Sequence, residues 1–259
     1  MISGVHVYLL GLLSVAVAAI GAWCVSLYRG KVDVVDSLWP LLFALAAYTY
    51  AGSAYPIRTR GVVILTLVTL WALRLSIYIT WRNWGHGEDR RYQAIRARNQ
   101  SNFAFKSLYL VFGLQAVLAW IISLPLYSAI ARLAPLNWLD LLGGLLWTIG
   151  VIFEAGADLQ MARFKADPTN RTGVMDRGFW RYTRHPNYFG DFCVWWGFYL
   201  LALAAGGWWS IPGPLLMTLL LTRVSGVTLL EKDIGARRAD YADYVRRTNA
   251  FFPGKPKLR

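Results

Sequence analysis

The chain has 259 residues, 56% hydrophobic and 16% charged, with a formal net charge of +13. Its apolar residues fall in blocks long enough to cross a hydrocarbon core as helices, at about 20 residues for ~30 Å, which argues against a soluble domain. Strand-type alternation is absent, so helices are expected to satisfy the backbone in lipid, and the expected fold class is an all-α integral membrane protein.

Seven transmembrane helices are expected, at about 5–28, 34–52, 61–81, 107–131, 137–163, 187–208 and 211–230, followed by an amphipathic segment at about 231–247 and a basic tail. The first block lacks a basic leader and is too long for a signal-peptide core. Trp39, Trp138, Trp208 and Trp209 near span ends suit interfacial anchoring. Of the 27 Lys and Arg residues, 22 fall at one set of span ends and in the segments joining them. Only Arg58, Arg60 and Arg132 fall in the opposite set, and Arg74 and Arg223 lie inside spans. The expected orientation is therefore amino terminus outside and carboxyl terminus cytosolic. The same asymmetry accounts for the net charge, so no nucleic-acid partner is expected. The loop arginines Arg90, Arg91, Arg96 and Arg98 are expected to meet anionic lipid headgroups rather than a cofactor. Cys24 and Cys193 form no metal-ligand spacing, and nothing calls for an obligate protein partner.

Ionisable residues inside spans are costly and point to function. They are Asp36, Arg74, Glu154, Asp158, Asp191 and Arg223, all in the expected cytosolic halves, where they could converge on one polar cavity. Glu154 and Asp158 share a helix face at i, i+4, as do Asn187 and Asp191. Interhelical ion pairing, for example Arg74 with Asp158, is the structural alternative. No Walker A or G-x-G-x-x-G motif occurs, so a nucleotide would bind among helices.

The segment from Ala157 to Leu200 carries ADLQMARFKADP and then RGFWRYTRHPNYFGDFCVWWGFYL. RHPNYFGD (Arg184 to Asp191) resembles the R-H-x-N-Y-x-G-D box of the sterol reductases. Asp158, Lys165, Asn187, Asp191, Trp195 and Gly197 repeat the separations of the steroid 5α-reductases, and YADYVRRTNAFFP resembles their closing segment. In detail the chain looks like the bacterial branch of the 5α-reductase (3-oxo-5-alpha-steroid 4-dehydrogenase) homologues. The resemblance implies one membrane reductase domain over 1–259. A weaker-matching part, about 1–106, would contribute to the substrate pocket, and about 107–259 would carry the cofactor motifs. It further implies a bacterial inner membrane and a cytosol-facing site.

Members of that family use NADPH to reduce a carbon–carbon double bond, typically the Δ4 bond of a 3-oxo-steroid. Carried over by position, cofactor binding falls to Arg74, Glu154, Asp158, Lys165, Arg184, His185, Asn187, Asp191, Arg223 and Tyr241. Lys165 and Arg184 would neutralise phosphates, and the carboxylates and Asn187 would hold ribose or carboxamide. Hydride addition to an enone puts negative charge on the carbonyl oxygen, which needs a donor. Asp36 holds the family's acidic position and is expected to donate as a buried neutral acid. Where the family has a tyrosine this chain has Trp71. The expected partners are an apolar enone or steroid and membrane lipid. The alternative is an S-adenosylmethionine-dependent membrane methyltransferase of the isoprenylcysteine or phospholipid type, which shares R-H-P-x-Y-x-G and an E…Y-x-x-Y ending (Glu231, Tyr241, Tyr244). Asn187 favours the reductase, because methyltransferases usually have a small residue there. A non-catalytic sterol carrier is a third class.

Overall fold

A computed structural model describes residues 4–54, 56–224 and 240–257. Among them every regular element is helical. Five helices are long and apolar enough to cross a membrane: Gly4–Arg29, Val34–Ser53, Thr59–Asn83, Phe103–Ile122 and Trp138–Ala166. The first exposes Leu9, Leu13, Val17 and Ile20 along its length, a surface that water would not tolerate and lipid would.

The chain divides into two compact units. The first comprises residues 1–136 and 202–210. Its helices are α1 (Gly4–Arg29), α2 (Val34–Ser53), α3 (Thr59–Asn83) and the short α4 (Arg90–Arg98). They are followed by α5 (Phe103–Ser107), a π-helical stretch at Leu108–Gly113, α6 (Leu114–Ile122) and α7 (Leu124–Ala131). Gly30, at φ +67°, ends α1 in a left-handed turn that L side chains rarely adopt. α2 then starts at once and packs between α1 and α3. Pro40 leaves the Asp36 carbonyl without a helical N–H, and Ser76 reaches from α3 to the neighbouring Ser37 carbonyl at 2.7 Å. The expected fourth span of 107–131 starts earlier, at Phe103, and breaks at Ser123, because Pro125 has no N–H to continue the ladder.

The second unit comprises residues 137–201 and 211–259. It holds α8 (Trp138–Ala166), most of α9 (Pro186–Ala204) and α10 (Pro212–Leu219), which continues as a π-helix at Leu220–Val224. α11 (Tyr241–Arg247) follows. Asn137 and Asp140 form a capping box at the start of α8. The expected seventh span and amphipathic segment run partly outside the described residues, at 225–230 and 231–239. α8 and α9 touch backbone to backbone. A Cβ on Gly143 would lie 2.9 Å from the Gly197 carbonyl oxygen, and one on Gly150 would lie 2.6 Å from that of Gly190. Two glycine pairs seven residues apart on each helix thus set an antiparallel register.

Candidate functional site

In the second unit that register positions the acidic residues. Glu154, one turn beyond Gly150, packs so closely on α9 that a Cβ at Gly190 would meet its backbone nitrogen at 2.5 Å. Asp158 follows one turn later, and Asn187 at the start of α9 donates from Nδ2 to its Oδ1 at 3.5 Å. Glu154 and Asp158 are both buried, whereas Asn187 and Asp191 are half-buried. Lys165 is exposed near the end of α8. Seven residues make nearly two turns, so Lys165 shares the face of Asp158 about 10 Å further along the axis.

The connection from α8 to α9 is tied back to α8. Gln160 Oε1 accepts from the Phe179 N–H at 3.0 Å, and the Trp180 indole donates to the Ala157 carbonyl at 3.1 Å. Gly178 takes φ +57° against the Gln160 amide, where a side chain would be strained and would clash. His185 is buried and stacks on Tyr188, with ring centroids 5.7 Å apart. Arg184 donates from Nη1 to the Thr248 carbonyl at 2.6 Å, and the Arg184 backbone N–H bonds to the Asn249 carbonyl at 2.9 Å. At that nitrogen Arg184 clamps the carboxyl-terminal segment. Tyr241 is buried with its ring 5.9 Å from that of Tyr244, whose hydroxyl donates to the Trp180 carbonyl. Arg223 lies exposed near the end of the π-helix.

In the first unit Asp36 stands in the first turn of α2 with 13% of its side chain exposed. Both of its oxygens have partners in the chain. Tyr92 donates its hydroxyl to Oδ1, and Arg91 Nη2 donates to Oδ2 at 2.8 Å. Tyr92 also receives the Gln115 amide of α6 at 3.3 Å. Trp71 is fully buried, its ring 5.8 Å from Phe43. Arg74 is half-buried with its guanidinium 5.6 Å from the Tyr78 ring centroid.

Two of the loop arginines have partners within the chain. Arg91 bonds Asp36 and Asp89, and Arg96 bonds Glu88 and the Gly30 carbonyl while lying 4.5 Å from the Phe103 ring centroid. Both are intramolecular because 90–98 is a helix, with Asp89 as its N-cap accepting from the Arg91 N–H at 2.8 Å. An Asp immediately before Arg-Arg-Tyr was the available signal for that helix start.

The family described as "Protein of unknown function (DUF1295)" matches residues 22–248. An uncharacterized protein of Schizosaccharomyces pombe is 26% identical over 229 residues, covering 76% of this chain. The chain spans 65% of that relative's length. No solved structure matches.

Proposed function

Because the chain belongs to the DUF1295 family, which lies in the steroid 5-alpha reductase-like group, we propose that it uses NADPH to reduce a carbon–carbon double bond conjugated to a ketone. The substrate class is the Δ4-3-oxo-steroids or similarly flat apolar enones. The observation that carries this reading is the buried Glu154–Asp158 pair with Asn187 directed onto it from the RHPNYFGD box. Carboxylates and an amide are the groups that grip ribose hydroxyls and a carboxamide. Lys165, exposed and about 10 Å along the same helix face, suits the phosphates at the wetter end. The donor set of the second unit therefore fits a dinucleotide, with Glu154, Asp158, Lys165, Asn187 and Asp191 holding it. When bound, the cofactor supplies the hydride. The same reading takes the chain as seven spans of a bacterial inner membrane, amino terminus outside.

The test is direct. Purified full-length protein is expected to bind NADPH and to oxidise it with at least one member of a panel of steroidal and non-steroidal enones. Selective binding of S-adenosylmethionine would replace the reading with methyl transfer. Tight steroid binding with no NADPH consumed would replace it with a carrier.

A further inference from the structure

The short helix α4 of the first unit has two unlike faces. On one side Tyr92 is buried and Arg91, Ile95 and Arg96 are half-buried, and on the other Arg90, Gln93, Ala94, Ala97 and Arg98 are exposed. The inner face fastens the helix across the ends of α1 and α2: Arg91 and Tyr92 bond Asp36, and Arg96 bonds Glu88 and the Gly30 carbonyl. From Arg82 to Lys106 the carboxylates are Glu88 and Asp89, and each is engaged by an inner-face arginine. Arg90 and Arg98 therefore face outward with no balancing carboxylate in their own segment. Eight residues set them about 12 Å apart along the axis, and Ala94 and Ala97 leave the surface between them low. Around α4 the span ends carry exposed aromatic rings, Tyr28 on α1, Trp81 on α3 and Trp84 just after it. Rings of that kind at span ends sit at the headgroup level of a bilayer.

We propose that the outer face of α4 is a docking surface for anionic phospholipid headgroups, with Arg90 and Arg98 as the two side chains that grip the phosphates. A guanidinium presents N–H donors in a planar fork that matches phosphate oxygens. The outer face has no large apolar side chain, so the helix rests on the headgroups and does not enter the acyl chains. Charge decides which lipid it holds. The phosphate of phosphatidylglycerol keeps its negative charge, whereas that of phosphatidylcholine is balanced by its own choline. Of the four arginines in α4, the structure thus divides Arg91 and Arg96, which hold the helix to the protein, from Arg90 and Arg98, which hold it to the membrane. This assignment stands independently of the reductase reading.

A fluorophore on the outer face tests it in full-length protein. Bimane is attached through Ala94→Cys in a chain that also carries Cys24→Ser, because Cys24 is exposed and Cys193 is buried. The protein is reconstituted in phosphatidylcholine vesicles containing a minority of phosphatidylglycerol, with a quenching spin label near the headgroup of one lipid or the other. Labelled phosphatidylglycerol is expected to quench about threefold or more better than labelled phosphatidylcholine. Replacing both arginines, Arg90→Gln with Arg98→Gln, should bring the two lipids to parity, whereas Arg90→Lys with Arg98→Lys should keep most of the preference. Salt at about 1 M, where screening acts within about 3 Å, should weaken it. Thermal unfolding is expected to be the same in all of these proteins, since both side chains are exposed. Equal quenching by the two lipids in the parent protein would overturn the proposal. So would a preference that survives the double Gln variant, or a bimane that neither lipid reaches. A bimane response to inorganic pyrophosphate in neutral detergent, lost in the Gln variant and accompanied by no lipid preference, would give the surface to a soluble phosphate instead.

Discussion

Arg60 shows what a buried charge does when it has a structural task. Only 1% exposed, it donates to the Ala134 carbonyl at 2.8 Å and the Pro135 carbonyl at 2.7 Å, tying the start of α3 to the chain that leaves α7. Arg60→Ala would leave two carbonyls without these donors and a hole where the guanidinium was. A loss of about 3 kcal/mol is expected, with part recovered by Arg60→Lys, which can reach one carbonyl. Thermal unfolding of the detergent-solubilised variants measures it. In sequence, Arg60 is a flanking charge like Arg58, and its burial depends on where α7 ends. Asp36 teaches the converse lesson. Its place as an acid at the head of α2 is legible from DVVDSLWP, but its partners Arg91 and Tyr92 lie more than fifty residues away. No local periodicity encodes that pairing, so neither partner was legible in the sequence.

The segment from Trp84 to Arg98 is the element whose structure sequence patterns concealed most, being short and polar. It is fastened to the turn between α1 and α2 by several bonds. The Val32 N–H donates to Glu88 at 3.0 Å, Lys31 donates to the His86 carbonyl, and Arg96 bridges Glu88 and Gly30. Burial pushes the Glu88 carboxyl up, but hydrogen bonds from Arg96 and Val32 outweigh it and hold the group below its ordinary range. For Asp89, burial is likewise outweighed, by the Arg91 side chain and backbone N–H. Carboxyls depressed in the folded state contribute stability above their unfolded values of about 4, and lose it as pH falls through the folded values. Amide exchange across 88–98, corrected for its intrinsic pH dependence, should therefore accelerate on acidification below about pH 4 while the core of α3 stays protected. Glu88→Gln should show the same loosening at neutral pH. The pairing of α8 and α9 was half legible: Gly190 and Gly197 stand inside the recognised motif, but their contact with Gly143 and Gly150 needed the register.

At the scale of the whole chain, apolar length and charge asymmetry make independent statements. Among the described residues, five helices are long and apolar enough to cross a bilayer. α9, at 19 residues, has the length but carries Trp195, Trp196, Tyr188 and Tyr199, and α10 with its π-helix reaches only to Val224 within the described residues. Composition alone therefore leaves the parity of crossings open, and the 22-to-three division of Lys and Arg is what argues for an odd number. An odd number puts the two termini on opposite sides. In a bacterial host, a fluorescent protein that folds only in the cytosol should fluoresce when fused after Arg259. Alkaline phosphatase, active only outside, should be inactive there and active when fused near Arg132, which follows α7. Cysteines introduced at Arg58 and at Arg171 should then react with an impermeant maleimide in opposite ways, the first in intact cells and the second after lysis alone. Phosphatase activity at the carboxyl terminus would mean an even count. Reaction of the Arg171 cysteine in intact cells would put the basic ends of α8 and α9 on the side without NADPH, and the reductase proposal would then fail along with the topology.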